Sequence, residues 1–181
     1  YLEYLAAPAT VFWIVGLTNT VNLIDGLDGQ AAGVSTIASI TIMLITLQKD
    51  VMIVALFTAA LAGAALGFLR YNFNPAKIFM GDTGSMFLGF ILAGISVIGA
   101  VKCTATIALI VPILALGLPI MDTTFAIIRR YRGGVPIFKP DKGHLHHRLL
   151  DLGFSQRQAV LLMYVISALL GLSAVALNEV S

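Results

Sequence analysis

A chain of 181 residues that is 59% hydrophobic, carries only 11% charged residues and has a mean hydropathy of +0.95 cannot form a soluble domain without exposing very large apolar patches. Its net charge of +2 is too small to imply nucleic-acid binding, and a lone cysteine, Cys103, excludes an internal disulfide. Composition therefore predicts an all-α polytopic membrane protein, a single transmembrane domain over residues 1–181.

Six apolar runs, at about 4–20, 30–47, 51–69, 84–101, 104–128 and 158–177, are candidate transmembrane helices. Most hold roughly 17–25 residues, which at about 1.5 Å per residue approaches a hydrocarbon layer of about 30 Å. No basic region precedes the first run, and Glu3 stands where a cleavable signal peptide would carry one.

The first run ends in a polar segment from Asn19 to Gly29, in which Asn19, Asn22, Asp25 and Asp28 recur every three residues. On an ideal helix such a row drifts by about 60° per step, so the four groups cannot converge unless the helix stops. Gly26 and Gly29 are expected to mark that stop and to let a ligand approach the backbone. A plain turn joining two spans accounts for one or two of the four polar residues.

After the third run comes Asn72 to Ser85. Pro75 discourages helix at Asn74, and Gly81-Asp82-Thr83-Gly84-Ser85 opens the fourth span with Asp82 or Thr83 as its expected N-cap. Free backbone N–H groups there form a phosphate seat, and the hard oxygens of Asp82 suit Mg²⁺, with helix capping as the plainer alternative. Lys77 offers a point charge to a phosphate and Phe79 a ring to a base, although each reads equally well as structural.

Within the fifth run, Pro112, Gly117 and Pro119 predict a kink. Asp122 lies seven residues before Arg129, and an ion pair with the nearby arginines is the expected partner of an acid at that depth. Cys103 reads as structural, at a helix end.

The long connection at about 129–157 begins with Arg129, Arg130 and Arg132, which read as topology determinants. Gly133, Gly134 and Pro136 suggest a turn or short β-hairpin near 133–138. His144, His146, His147 and Arg148 follow. Without a cysteine beside them, anion binding or acid–base work fits better than zinc or an idle amphipathic helix. If the stretch is helical, His144, His147, Arg148 and Asp151 share a face, His146 points elsewhere, and Leu145, Leu149 and Leu152 form an apolar stripe.

Alternating spans place Arg70, Lys77, Arg129, Arg130, Arg132, Lys139, Lys142, Arg148 and Arg157 on one side and only Lys49 and Lys102 on the other. The first side is then cytoplasmic, with loops at about 19–29, 70–84 and 129–157, and both ends of the chain face outward. A row of ionisable residues at the bilayer midplane, as a transporter would need, is missing from the runs.

The strings from Asn19 to Gly29, from Pro75 to Ser85 and from Lys139 to Arg148 resemble the signature motifs of the polyprenyl-phosphate N-acetylhexosamine-1-phosphate transferase superfamily, of glycosyltransferase family 4 type. The nearest branch is that of bacterial undecaprenyl-phosphate N-acetylglucosamine-1-phosphate transferases, which initiate teichoic acid, O-antigen or enterobacterial common antigen synthesis. This resemblance implies transfer of GlcNAc-1-phosphate from UDP-GlcNAc to undecaprenyl phosphate at the inner leaflet of the bacterial cytoplasmic membrane, with Mg²⁺, or Mn²⁺ in its place, and release of UMP. It makes Asp82 the metal ligand and places Asn22, Asp25 and Asp28 in the nucleotide-sugar pocket. It stacks Phe79 on uracil, sets Asn72 in the pocket wall, and gives His144, His146 and His147 contacts to the diphosphate and sugar. Asp25, Asp28, Asp82 and the three histidines are thus the candidate catalytic residues, and Asn19, Asn22, Asn72, Lys77, Phe79, Gly81 and Arg148 the candidate substrate-binding ones.

Two departures stand out. Relatives carry an earlier cytoplasmic aspartate pair that this chain lacks, and they have ten or eleven spans. The chain is therefore expected to be the C-terminal part of a longer enzyme, inactive alone, with a homodimer as a further candidate assembly. The sister activity on UDP-MurNAc-pentapeptide is the alternative. It is disfavoured because that branch carries three consecutive histidines followed by an aromatic and an acid, where this chain has His-Leu-His-His-Arg.

Overall fold

A computed structural model describes residues 3–100, 112–134, 136 and 144–179. Among the described residues the helices are α1 (Glu3–Leu23), α2 (Gln30–Gln48), α3 (Met52–Asn72), α4 (Gly81–Ala100), α5 (Gly117–Arg132), α6 (Leu145–Asp151) and α7 (Gln156–Glu179), and no strand occurs. Five of them, α1 to α4 and α7, are long and apolar enough to cross a membrane. The expected span at 104–128 lies partly outside the described residues, as does the expected hairpin at 133–138. What is described of that span is helical at 112–115, breaks at Leu116 and resumes as α5. The break follows from Pro119, which has no N–H to return to the carbonyl of residue 115.

Helix α2 is the centre of the bundle, packed by α3, α4 and α7, while α1 lies on α4 and α5 on α1 and α7. Its buried residues are mostly small: Ala31, Ala32, Gly33, Ser35, Thr36, Ala38, Ser39 and Thr41. Lipid is as apolar as leucine, so helices gain by close approach rather than by escaping the solvent, and small residues permit that approach. Gly33 leaves room for the Tyr164 ring and Gly171 for Thr41, while Gly89 lets α4 meet the backbone of α1 at Leu17 and Thr18. Several interior hydroxyls are satisfied locally: Thr36 donates to Ala32 O at 2.8 Å and Ser39 to Ser35 O at 2.7 Å. Leu44, Leu56, Phe57, Phe87, Phe90, Leu169 and Leu172 face outward, as a lipid surface allows.

The up-and-down path sorts the chemistry to one end. At the opposite end Asn178 donates to Gln48 Oε1 at 2.7 Å beside the tight turn at Lys49 and Asp50. The connections at 24–29 and 73–80, together with α6 and the start of α7, lie at the other end.

Candidate active site

Four side chains lash the loops of that end together. Asn72, the last residue of α3, is buried; its Oδ1 accepts from Gly29 N at 3.1 Å and its Nδ2 donates to Ile78 O at 2.9 Å. Asp28 Oδ2 accepts from Asn74 Nδ2 and from Ala76 N, both at 3.0 Å, across the cis Asn74–Pro75 bond. Asn74 also donates to Gln156 Oε1 at 2.7 Å and accepts from Arg157 Nε at 2.9 Å, which ties in the first turn of α7. Tyr164 donates to Gly29 O at 2.6 Å where Gly29, at φ 82, turns the chain into α2. Asn72 and Asp28 therefore brace the loops. Sequence reasoning missed Asn74, Gln156 and Tyr164, which carry no signal of their own outside the folded arrangement.

Helix α1 runs on to Leu23, past the expected end, so Asn22 sits in its last turn and accepts from Ser85 Oγ at 2.6 Å. That bond sets the end of α1 against the start of α4 and brings Asp25 near Asp82. Burial, then the charge of Asp82, then that of Asp28, push the Asp25 carboxyl up to about 6. Asp82 itself is exposed. It is not the N-cap the sequence suggested: α4 begins at Gly81, where the chain turns in at a φ of +65, and Asp82 sits in its first turn. Lys77 is exposed and Phe79 is 76% exposed, on the connection that leads into α4. Asn19 turns its amide back to Val15 O at 2.8 Å on its own helix.

Among the described residues no three His, Cys, Asp or Glu side chains converge as a ready metal cage. Crowded carboxylates of one sign nevertheless suit a divalent cation, and Mg²⁺ is commonly held by one or two carboxylates with the rest of its shell left to water and phosphate oxygens.

The histidines form a stack. His144 precedes α6 with extended backbone and is buried, its Nδ1 2.9 Å from Asp122 Oδ2. His144 and His146 rings lie parallel at 5.8 Å between centroids, and His146 meets His147 at 4.3 Å, tilted by 43°. His146 is only 3% exposed and lies against Gly26, where a Cβ would come within 2.5 Å of its Nε2. Burial, then the adjacent His147, hold His146 down at about 4, so it is neutral near pH 7, and its Nδ1 has no hydrogen-bond partner.

Three expectations are corrected here. Because α6 begins at Leu145, His144 lies outside the helix and His146 faces inward, into space that Gly26 leaves open. Asp122 turns to His144 in place of the expected arginine pair, since the start of α6 is laid against α5. Gly26 thus admits a histidine of this chain where a ligand was expected.

Between α5, α6 and α7 lies a cavity of about 640 Å³ with an apolar wall that includes Met121, Phe125, Ile128 and Ile166, and with Arg132 and Arg148 on its lining.

A family model described as glycosyl transferase family 4 matches residues 1–100. The chain is 48% identical to a protein of Bacillus subtilis (strain 168) named probable undecaprenyl-phosphate N-acetylglucosaminyl 1-phosphate transferase, over 98% of this chain and 50% of that protein. It is 41% identical to a decaprenyl-phosphate N-acetylglucosaminephosphotransferase of Mycobacterium tuberculosis (strain ATCC 25618 / H37Rv), over 86% of this chain and 43% of the relative. A phospho-N-acetylmuramoyl-pentapeptide-transferase of Listeria monocytogenes serotype 4b (strain F2365) is 52% identical over 49% of this chain and 27% of its own length. The chain thus spans about half the length, or less, of these relatives.

Proposed function

From the premise that the chain belongs to glycosyl transferase family 4, we propose that the protein carrying it transfers GlcNAc-1-phosphate from UDP-GlcNAc to undecaprenyl phosphate on the cytoplasmic face of a bacterial inner membrane, initiating a cell-envelope polysaccharide. The observation that carries this reading is the gathering of Asp25, Asp28, Asp82 and the histidine stack at one end of an apolar bundle, where a soluble nucleotide can meet a lipid phosphate.

In the reaction an oxygen of the lipid phosphate forms a bond to the sugar-bearing phosphorus of the donor, the bond from that phosphorus to the bridging oxygen breaks, and UMP leaves with that oxygen. Asp82 would hold Mg²⁺ with Asp25 across from it; the bound ion would neutralise charge on the diphosphate. Phe79, exposed on the connection into α4, would stack on the uracil, and Lys77 would meet a phosphate. His147, at the end of the stack, and Arg148 offer donors to the diphosphate and sugar. The cavity with Arg132 and Arg148 on its lining suits a prenyl chain ending in phosphate.

Ionisable residues of the five long helices lie at their ends, which speaks against a transport pathway. The local match to the pentapeptide transferase keeps UDP-MurNAc-pentapeptide as a second donor to test.

The deciding experiment measures UMP release by membranes carrying the natural protein, with undecaprenyl phosphate and Mg²⁺. UDP-GlcNAc is expected to support turnover and Asp82→Asn to lower it by about 100-fold or more. Turnover with UDP-MurNAc-pentapeptide alone would move the assignment to the sister activity, and unchanged turnover in Asp82→Asn would remove Asp82 from the metal role.

A further inference from the structure

An acid in the fifth span needs a partner, and the one Asp122 has is specific. Its side chain is 8% exposed; Oδ2 lies 2.9 Å from His144 Nδ1, and Oδ1 accepts the backbone N–H of Leu145 at 2.8 Å. One carboxylate therefore fixes both the ring of His144 and the first turn of α6. A carboxylate has only acceptors, so the ring nitrogen facing it must carry a proton; in the neutral imidazole Nε2 is then left with its lone pair. From His144 the stacked ring of His146 reaches Gly26, next to Asp25.

We propose that Asp122 is a positioning residue, which holds His144 in the Nδ1–H tautomer with Nε2 as a hydrogen-bond acceptor facing the reaction and keeps the stacked histidines in register with the loop that carries Asp25. Asp122 touches neither substrate; it acts through His144. Its role is that of the third group in a nucleophile–base–orienter arrangement, where the carboxylate selects the tautomer and orientation of the imidazole. The sequence carries one sign of it, a lone acid among apolar residues upstream of a histidine cluster.

The inference rests on the transferase reading above, and the test separates the two. In the natural protein, Asp122→Asn keeps the side-chain volume and the acceptor for Leu145 N, but its amide can present a donor to His144 Nδ1 and so favour the other tautomer. UMP release by Asp122→Asn is expected to lose kcat by a factor on the order of 10²–10⁴, with KM for the donor little changed. Asp122→Glu is expected to recover part of the rate. Adding Asp122→Asn to His144→Ala should cost nothing beyond His144→Ala itself. Independently of turnover, the ¹⁵N resonance of His144 Nε2 should be that of an unprotonated nitrogen in the natural protein and move toward the protonated position in Asp122→Asn.

A full-rate Asp122→Asn beside an inactive His144→Ala overturns this inference and leaves the transferase reading standing. Additive losses in the double variant, or a protonated Nε2 in the natural protein, overturn it as well. A fully active His144→Ala overturns the role of the histidines in both.

Discussion

Asp25 is the residue whose chemistry depends most on its neighbours. Its carboxyl titrates near 6 because burial and the charges of Asp82 and Asp28 disfavour the ionised form. The folded protein therefore holds a proton that the unfolded chain, with an aspartate near 3.9, has already released, so this group's stabilisation is complete below about pH 4 and is lost as pH rises through about 6. A divalent cation held by Asp82 and Asp25, as proposed, would reverse the preference. The rise in melting temperature caused by Mg²⁺ should accordingly grow between pH 5 and pH 7, and Asp25→Asn should flatten that growth. An equal Mg²⁺ shift at both pH values would mean that the ion binds away from this cluster. The sequence showed that Asp25, Asp28 and Asp82 were unusual in so apolar a chain. It could not show that Asp28 accepts from Asn74 and Ala76 while Asp25 is left under the charge of Asp82, because which acid finds a donor is decided by loops distant in sequence.

Among the elements, α2 is where packing sets the geometry of the site. Its first turns are held by Tyr164 of α7, whose hydroxyl bonds Gly29 O and whose ring occupies the space beside Gly33. A methyl at Gly33 would overlap that ring. Gly33→Ala is expected to lower stability by about 1–3 kcal/mol, the usual range for forcing volume into a packed interior. At Gly63 of α3 nothing lies near a Cβ, and Gly63→Ala should be neutral or stabilising by up to about 1 kcal/mol through the better helix former. Melting temperatures in detergent would separate the two, and equal values would mean that the contact with Tyr164 is loose. The helices themselves were legible, since a run of some twenty apolar residues has few alternatives in a bilayer. Their ends were less so. The chain enters α4 through Gly81 and starts α6 after His144, and each shift of a residue changes which side chains face the site. The inward turn of His146 could not be read from helical spacing, as it depends on Gly26 in a loop more than a hundred residues earlier.

For the molecule as a whole, the charges and the fold sort to the same end. Arg70, Lys77, Arg148 and Arg157 lie at the end that carries the acidic cluster and the histidines, and Lys49 lies at the other, beside Gln48 and Asn178. By the positive-inside tendency, such an excess of Lys and Arg on one side of a bundle is the expectation behind the proposed cytoplasmic placement of that side. The proposed function requires its soluble nucleotide donor on that same side, so orientation and chemistry impose one requirement. Single cysteines at Lys49 and Lys77, each in a background of the natural protein with every native cysteine, Cys103 included, replaced by serine, make it measurable. A membrane-impermeant maleimide added to intact cells stripped of outer barriers should label Lys49→Cys and spare Lys77→Cys, and inverted vesicles should give the reverse. Labelling of Lys77→Cys from outside would place the acidic cluster on the face that UDP-GlcNAc does not reach, and the proposed donor would then be wrong whatever the geometry of Asp82.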